Sequence, residues 1–206
     1  MKSNKLHFLI TAGGTREYID PIRFITNASS GKMGYALARA AIKAGHKTTL
    51  ITTVKNSELK IVEVETADQM FKAVKKHFKK CDCLIMAAAV ADYAPAKKSK
   101  VKIKKSKKDL VIRLKPTVDI LQWAGKNKAK GQIVVGFALE DKNLRQNAEK
   151  KLKDKNLDMV IVNNLAAIGR EKAAVQIKQK SGRWIKMPAA EKNKIGAKII
   201  HLIQNL

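Results

Sequence analysis

The stretch between residues 6 and 45 constrains the fold more than any other part of the chain. A short apolar run at residues 6–11 leads into Gly13-Gly14-Thr15, and a polar loop then reaches Ser29-Ser30-Gly31. An alanine-rich amphipathic segment follows and stops at Gly45. This succession predicts a strand, a glycine turn and a helix whose N-terminal N–H groups and dipole favour an anion. We therefore expect a phosphorylated ligand at this corner.

Strand and helix patterns alternate along the rest of the chain. Apolar, β-branched runs predict strands at residues 48–53, 61–64, 83–88, 133–137 and 158–163, and amphipathic runs predict helices at 66–78, 143–153 and 189–206. This order predicts an α/β fold with a mostly parallel, Rossmann-like sheet covered by helices on both faces. Ligands bind such sheets beyond the carboxyl ends of the strands, which here carry loops at residues 13–27, 88–95 and 136–140.

Composition narrows the class of protein. The 206 residues fit a single domain, and no apolar run is long enough to cross a membrane or to form a signal peptide, so we expect a cytoplasmic protein. The net charge is +26, and residues 97–108 hold eight lysines, whose removal still leaves +18. Because the aromatic residues do not interleave with the lysines and no nucleic-acid-binding motif occurs, nucleic acid is an unfavoured partner.

Residues 97–115 break the alternating pattern. Val101–Lys104 and residues 110–115 each alternate between apolar and polar residues, which predicts an antiparallel β-hairpin projecting from the sheet. One interpretation is a solvated edge hairpin blunted by lysines. The other is a mobile flap that carries a lysine to an active site, and spacing alone favours the first.

Motifs for nucleotide binding are partial. The dinucleotide fingerprint and the P-loop are both absent. Ser29-Ser30-Gly31-Lys32 offers hydroxyls, N–H groups and a cation within one turn, although a plain helix cap is an equal interpretation. Residues 87–91 are small enough for a ligand to approach the backbone, and Asp92 either accepts from a ribose or is a turn residue. Asn27 either caps the next helix or presents its amide to an oxyanion.

Taken together, these segments closely resemble the phosphopantothenoylcysteine synthetase family over essentially the whole chain. The resemblance rests on Gly13-Gly14-Thr15-Arg16-Glu17, on Asp20-Pro21-Ile22-Arg23-Phe24-Ile25-Thr26-Asn27, on Ser29-Ser30-Gly31-Lys32-Met33-Gly34, on residues 87–92, on Lys102-Ile103-Lys104-Lys105 and on Val135-Gly136-Phe137-Ala138-Leu139-Glu140. Lys155-Asn156-Leu157-Asp158 and Lys186-Met187-Pro188 continue it.

The resemblance implies a ligase. Members of the family join L-cysteine to 4′-phosphopantothenate in coenzyme A synthesis, and bacterial members use CTP with Mg²⁺ through an acyl-cytidylate. It also implies a homodimer to which the hairpin contributes. In many bacteria this domain follows a flavin-dependent decarboxylase on the same chain. Because no such domain precedes Met1 in this sequence, we expect a stand-alone synthetase with a separate decarboxylase partner.

Site residues follow from the resemblance by motif. It assigns Asn27 to the acyl-cytidylate and Lys102 to the flap as catalytic residues, and Arg23 and Ala89 to the substrate. The nucleotide would contact Gly13, Gly14, Thr15, Ser29, Ser30, Gly31, Ala88, Asp92, Phe137, Lys151 and Lys155. No metal ligand is assigned. A role for Lys102 reverses the preference for an inert hairpin.

Three segments depart from the family pattern. Lys115-Pro116-Thr117-Val118-Asp119-Ile120 stands where many members have Asn-Pro-Asp-Ile, Leu139 and Asp141 replace the usual residues around Glu140, and residues 164–172 are shortened. Two other classes remain as alternatives: an NAD(P)-dependent reductase and a basic nucleic-acid-binding protein. The missing glycine fingerprint and Pro95, which breaks a reductase-like Tyr93…Lys97 pair, weigh against the reductase.

Overall fold

The computed structural model describes residues 5–55, 58–139, 142–163 and 169–206. The strands are β1 (His7–Ala12), β2 (Arg16–Tyr18), β3 (Phe24–Thr26), β4 (Lys47–Thr52), β5 (Ile61–Glu63), β6 (Cys83–Met86), β7 (Tyr93–Pro95), β8 (Leu114–Pro116), β9 (Ile133–Leu139), β10 (Met159–Asn163), β11 (Lys172–Gln179) and β12 (Ile185–Glu191). The helices are α1 (Lys32–Lys43), α2 (Ala67–Phe78), α3 (Ile120–Asn127), α4 (Leu144–Asp154) and α5 (Lys192–Ile203).

One eight-stranded sheet forms the centre of the molecule, in the order β12-β11-β10-β9-β6-β1-β4-β5. The six strands from β10 to β5 are parallel, and β11 and β12 extend the sheet antiparallel at one edge. This arrangement confirms the Rossmann-like α/β class. Successive strands proceed outward from β1 to β5 and then from β6 to β10, so the order reverses between β1 and β6. A crevice for ligands is expected at that switch point.

Helices cover both faces of the sheet because its strands are apolar on both faces. Phe8 and Ile10 of β1 pack in the cluster that contains α1 and α5, whereas Leu9 packs in the cluster that contains α2, α3 and α4. Alternate residues of a strand point to opposite faces, so a continuous apolar run fills two cores at once. All three side chains are 0% exposed.

Local signals set two helix ends, the start of α2 and the end of α1. Thr66 caps α2 by accepting from the backbone N–H of Gln69 at 3.2 Å, and Gln69 Oε1 in turn accepts the backbone N–H of Thr66 at 3.3 Å. Gly45 follows α1 with φ of 84°, which is the left-handed conformation that ends many helices. These two ends needed no tertiary information.

The hairpin prediction was wrong in its location. β7 pairs with β8, so the antiparallel ladder lies at residues 93–95 and 114–116. Val101–Lys104 forms no strand, because the backbone N–H and C=O of Ile103 are bound by Asp20 and Arg23 instead of by a neighbouring strand. Residues 96–113 form an irregular segment, and we keep the name flap segment for it.

The start of the last helix was also predicted wrongly. Residues 189–191 belong to β12, and α5 begins at Lys192. The strand β12 was not predicted because it contains Pro188, and proline within an apolar run argues against a strand. It is tolerated here because β12 is the edge strand and because the pairing with β11 shifts register beside Pro188. The small pair β2–β3 and the helix α3 were likewise not predicted.

No helix within the described ranges is long and apolar enough to cross a membrane.

Cys81 and Cys83 are free and buried. Burial raises the pKa of the Cys81 thiol to about 11, so it is protonated at neutral pH. Burial raises the pKa of the Cys83 thiol as well, so both cysteines are structural.

His46 makes the stability of the fold sensitive to acid. The ring is 6% exposed, packs 5.1 Å from the ring of Phe8, and accepts the Leu6 N–H at Nδ1 over 3.2 Å. Burial lowers the pKa of His46 below its ordinary 6.5. The unfolded chain therefore binds more protons than the folded chain below that pH, and stability is lost as pH falls from about 6.5 towards the folded pKa.

We expect His46→Gln to weaken this pH dependence. Urea unfolding at pH 7.5 and pH 5.5 should give a smaller loss of unfolding free energy in the variant than in the parent. His201→Gln, at an exposed position, is the matched control and should keep the parental difference. His77, whose pKa burial also lowers, is present in all three proteins. Equal pH dependence in the parent and the His46 variant would contradict the assignment.

Candidate nucleotide-binding site

A pocket of about 560 Å³ opens beyond the carboxyl ends of β1, β6 and β9. Its walls are residues 27–34, 86–90, 117–121 and 137–139, with Asp92, Lys151, Lys155, Asn163, Gly169 and Lys192 completing the lining. It therefore lies at the switch point of the sheet, and all three predicted loops contribute to it. A smaller cavity of about 460 Å³ adjoins it and shares Ser30, Lys32 and Lys192.

Backbone bonds join the glycine corner to the small-residue loop at residues 87–92. Ala89 donates its N–H to the Gly13 carbonyl at 2.8 Å, and Thr15 donates its N–H to the Ala89 carbonyl at 3.3 Å. The Thr15 hydroxyl accepts the N–H of the buried Ala91 at 2.9 Å. These bonds fix the loop, so that the small side chains of Ala88 and Ala89 line an open pocket.

Glycine is required where the corner meets the start of α1. Gly13 has φ of 85°, and a Cβ there would lie 2.2 Å from Thr53 Oγ1. Gly31 has φ of 74°, and its Cβ would lie 3.3 Å from the Gly13 nitrogen. Gly13, Gly14 and Thr15 are buried beneath the pocket and do not line it. Their place is structural support for the loops that do.

Asn27 joins two walls of the pocket. Its Nδ2 donates to the carbonyls of Ala89 at 3.4 Å and Val90 at 3.2 Å, and the side chain is otherwise exposed. The N-cap of α1 is Gly31, so Asn27 does not cap that helix. Its amide oxygen faces away from these two acceptors and remains able to accept.

The pocket suits an anion. Its lining includes four lysines against two aspartates: Lys32, Lys151, Lys155 and Lys192, with Asp92 and Asp119. The first turn of α1 carries no acidic residue, and its leading N–H groups have no partner within the helix. Lys32 pairs with the exposed Glu171. Burial lowers the pKa of Lys192, and the Lys32 charge adds to this effect.

Two lysines of the α4 region are held in place before any ligand arrives. Lys151 Nζ donates to the Phe137 carbonyl at 2.8 Å. Lys155 Nζ lies 2.6 Å from Asp119 Oδ2, while Asp119 Oδ1 accepts the Gln122 N–H and caps α3. Burial alone would raise the pKa of Asp119, but Lys155 and the cap hold it below its usual value. The pocket rim is therefore preorganised.

Ten of the predicted site residues line this one pocket: Asn27, Ser29, Ser30, Gly31, Ala88, Ala89, Asp92, Phe137, Lys151 and Lys155. Arg23 and Lys102 are not among the described lining residues. Arg23 lies on the turn between β2 and β3 in an ion pair with Asp20, and Lys102 is exposed in the flap segment. Glu140 and Asp141 of the family pattern lie outside the described residues.

Sequence reasoning missed two lining residues that carry charge, Asp119 and Lys192. A third, Lys32, was recognised as a cation at the helix start but was not among the residues assigned to the nucleotide. Asp119 carried a usable signal, since an aspartate directly before an apolar run is typical of a helix cap. Lys192 carried none, because its approach to the pocket depends on α5 packing beside α1 with both N-termini at the same end. Gly196, four residues into α5, lies against the backbone of Ala36, four residues into α1.

The fold and the pocket define a Rossmann-like α/β protein with an anion-suited pocket at the switch point of its sheet. The chain belongs to the family described as DNA/pantothenate metabolism flavoprotein C-terminal domain, whose model matches residues 3–206. A coenzyme A biosynthesis bifunctional protein CoaBC from Borreliella burgdorferi is 42% identical over 98% of this chain and 53% of its own length. A cysteine/cysteine sulfinic acid decarboxylase from an unknown prokaryotic organism is 42% identical over 98% of this chain and 59% of its own.

A solved structure agrees with this placement. The crystal structure of the C-terminal domain of a CoaBC protein has a TM-score of 0.83 and 38% identity, and the match covers 98% of this chain and 95% of that one. The chain spans about half the length of the curated relatives it matches.

The bond between Thr15 and Ala91 can be tested with a matched pair of substitutions. Thr15→Val removes the acceptor of the buried Ala91 N–H, so we expect a loss of about 1–3 kcal/mol in unfolding free energy. Thr48→Val is the control, since the Thr48 hydroxyl oxygen is buried without a hydrogen-bond partner among the described residues, and its removal should be neutral or stabilising. Urea unfolding measures the unfolding free energy of both variants. Equal losses would show that the Thr15 bond has no special weight.

Proposed function

We propose that the chain joins L-cysteine to 4′-phosphopantothenate with CTP, forming an acyl-cytidylate and releasing CMP and pyrophosphate in coenzyme A biosynthesis. One observation carries the proposal: ten residues that the family resemblance assigns to substrate or nucleotide line one lysine-rich pocket at the switch point of the sheet. The bifunctional coenzyme A biosynthesis protein that shares 42% identity with this chain supports it.

The nucleotide would lie along the pocket with its phosphates at the N-terminus of α1. Ser29, Ser30 and Gly31 would present hydroxyl and N–H donors there, and Lys32, which is paired with Glu171, would exchange that partner for phosphate oxygens. The Asp92 carboxylate would accept from the ribose hydroxyls. Phe137 would bound the nucleotide, with Lys151 and Lys155 near the triphosphate.

In the first step a substrate carboxylate oxygen attacks the α-phosphorus of CTP. A P–O bond forms, the bond to the β-phosphate oxygen breaks, and pyrophosphate leaves with that electron pair. Because both reactants are anionic, attack requires positive charge around the phosphates. The four pocket lysines and the α1 N-terminus supply that charge.

In the second step the cysteine amine attacks the acyl carbon. A C–N bond forms, CMP leaves with the electrons of the C–O bond, and the amine loses a proton. Asn27 would hold the acyl-cytidylate, because its side chain borders the pocket while Nδ2 is anchored on the carbonyls of Ala89 and Val90. Ala89 would face the substrate. Arg23 would contact it from the β2–β3 turn, and Lys102 would arrive on the flap segment.

Mg²⁺ would accompany the nucleotide. The described residues contain no group of three or more histidine, cysteine, aspartate or glutamate side chains that could hold a metal ion. Mg²⁺ is commonly bound by substrate phosphates, waters and one or two carboxylates. The pocket fits that mode, since Asp119 is the lining carboxylate that is not assigned to the ribose and it lies beside Lys155, and the bound ion would neutralise charge on the triphosphate.

Partners follow from the same proposal. We propose a homodimer of single-domain chains, which is supported by exposed apolar residues around the flap segment: Val111 (89% exposed), Val101 (72%), Ile22 (57%), Tyr93 (55%) and Leu110 (55%). A separate decarboxylase would consume the product; one relative of this chain is itself named a cysteine/cysteine sulfinic acid decarboxylase.

We expect pyrophosphate to form with CTP and phosphopantothenate before cysteine is added. The amount should be about one equivalent per active site, because the acyl-cytidylate stays bound until an amine arrives. Cysteine should then start steady turnover with CMP release. Quenched-flow measurement of pyrophosphate checks this, and reactions with ATP or without phosphopantothenate are the controls. A strict cysteine requirement for any pyrophosphate would contradict the two-step route.

Asn27→Asp should slow the second step and leave the fold intact. The new carboxylate would face two carbonyl oxygens and an anionic intermediate, and the loss of one such donor costs about 10²–10³ in rate. Asn127→Asp is the matched control, because the exposed Asn127 also donates Nδ2 to a backbone carbonyl, that of Trp123, and does not line the pocket. Single-turnover decay of the acyl-cytidylate measures the effect. Parental decay in the Asn27 variant would remove Asn27 from the mechanism.

A further inference from the structure

Asp20 is a fully buried carboxylate on the turn between β2 and β3. Its Oδ1 accepts the backbone N–H groups of Ile22 and Arg23, both at 2.9 Å. Its Oδ2 accepts from Arg23 Nε at 2.9 Å and Nη2 at 2.6 Å, and also from the backbone N–H of Ile103 at 3.1 Å. One oxygen therefore holds both a neighbouring arginine and a residue 83 positions later in the chain.

Arg23 completes the connection. Its Nη2 donates to the Ile103 carbonyl at 2.5 Å, so both backbone groups of Ile103 are held by one ion pair. We call Asp20, Arg23 and the Ile103 backbone the Asp20 clamp. Two nearby contacts support it: Ser99 donates its N–H to the Ile19 carbonyl at 2.9 Å, and Lys98 Nζ lies 4.7 Å from the Tyr18 ring centroid.

The clamp is built around an ionised carboxylate. Burial alone would raise the pKa of Asp20, but the hydrogen bonds from Ile22, Arg23 and Ile103 outweigh it and hold that pKa well below its usual value. Asp20 therefore remains charged across the physiological range and keeps accepting from Ile103.

The flap segment needs such an anchor. It carries eight lysines within residues 97–108, which repel one another, and Val101–Lys104 has no ladder bonds of its own. Fixing the backbone at Ile103 restricts the torsions of its neighbour Lys102. A side chain with a long flexible stem is most effective in catalysis when its starting point is fixed.

We propose that Asp20 is a positioning residue for Lys102, acting through Arg23 and the Ile103 backbone to set where the lysine projects during the reaction. This inference rests on the proposed function, in which Lys102 acts on the anionic substrates. It also gives Arg23 a role in addition to substrate contact: Nε and Nη2 bind Asp20 and Ile103, while 42% of the side chain remains exposed to a ligand.

The test is a double-mutant cycle on the full chain with CTP, phosphopantothenate and cysteine. We expect Asp20→Asn and Lys102→Gln each to lower kcat about 10²-fold with little change in the KM for CTP. The double variant should be no slower than the slower single variant, because both changes remove the same positioned lysine. Independent losses that multiply to about 10⁴-fold would overturn the proposal.

A second measurement reports the clamp without any activity. Amide hydrogen exchange at Ile103 in the ligand-free protein should be faster in Asp20→Asn than in the parent, and unchanged exchange would overturn the clamp. Full activity of Lys102→Gln would instead overturn the role given to Lys102 by the proposed function. The two failures are thereby distinguishable.

Glu17→Gln is the matched control. Glu17 is also a buried carboxylate on the β2–β3 pair, but its side chain accepts the Ala67 N–H at 2.8 Å at the start of α2 and forms no hydrogen bond to the described flap segment. The effect of Glu17→Gln on kcat should multiply with that of Lys102→Gln, and amide exchange at Ile103 should stay as in the parent. A double variant of Glu17 and Lys102 that is no slower than the slower single variant would overturn the proposal. Should Asp20→Asn fail to fold, the variant Ile103→Pro replaces it in both measurements, because proline lacks the N–H that Asp20 accepts. Amide exchange is then measured at Lys102 and Lys104 and should be faster than in the parent.

Discussion

The backbone connection between the glycine corner and the loop at residues 87–92 is the constraint on which the rest of the site depends. β1 and β6 pair side by side at the switch point, and beyond their ends Ala89 and Gly13 continue the contact through a 2.8 Å hydrogen bond. Thr15 and Asn27 add side-chain bonds to Ala91, Ala89 and Val90. A loop held by this many partners can present small side chains to a ligand without collapsing onto it.

Charge is arranged on that frame in two ways. Lys151 and Lys155 are positioned by the Phe137 carbonyl and by Asp119, so they lose little conformational freedom when a ligand binds. Lys32 is instead paired with an exposed carboxylate, Glu171, and pairs of that kind are weak and exchange readily. The pocket thus combines fixed cations at one wall with an exchangeable cation at the helix N-terminus. An extended polyanion matches this distribution better than a single phosphate.

Much of the fold follows from local sequence. The strand β1, the helix α1 with its glycine stop, and the capping box of α2 were predictable because apolar period, glycine and cap residues act over a few positions. β12 was not, since the tolerance of Pro188 depends on its being at the sheet edge. The strand predicted at Val101–Lys104 does not form, because Asp20 and Arg23 bind the backbone N–H and C=O of Ile103. Local sequence could not show this, since both residues are about 80 positions away.

The site shows the same division. Motifs located the loops that meet at the pocket, because parallel strands bring their carboxyl ends together. They did not show that Gly13, Gly14 and Thr15 lie beneath the pocket, nor that Lys192 reaches it from the far end of the chain. Those facts depend on how α1 packs on β1 and how α5 packs on α1. Resemblance assigns a residue to a site, and only packing decides whether it touches the ligand or supports what does.

The central claim is that the pocket at the switch point binds the nucleotide triphosphate at the N-terminus of α1. The most direct test is a crystal structure of the protein with CTP and Mg²⁺. The account predicts phosphate oxygens at hydrogen-bond distance, about 2.7–3.2 Å, from the backbone N–H groups at Gly31 and Lys32, with the ribose at Asp92. A triphosphate bound elsewhere, with the α1 N-terminus facing only solvent, would contradict it.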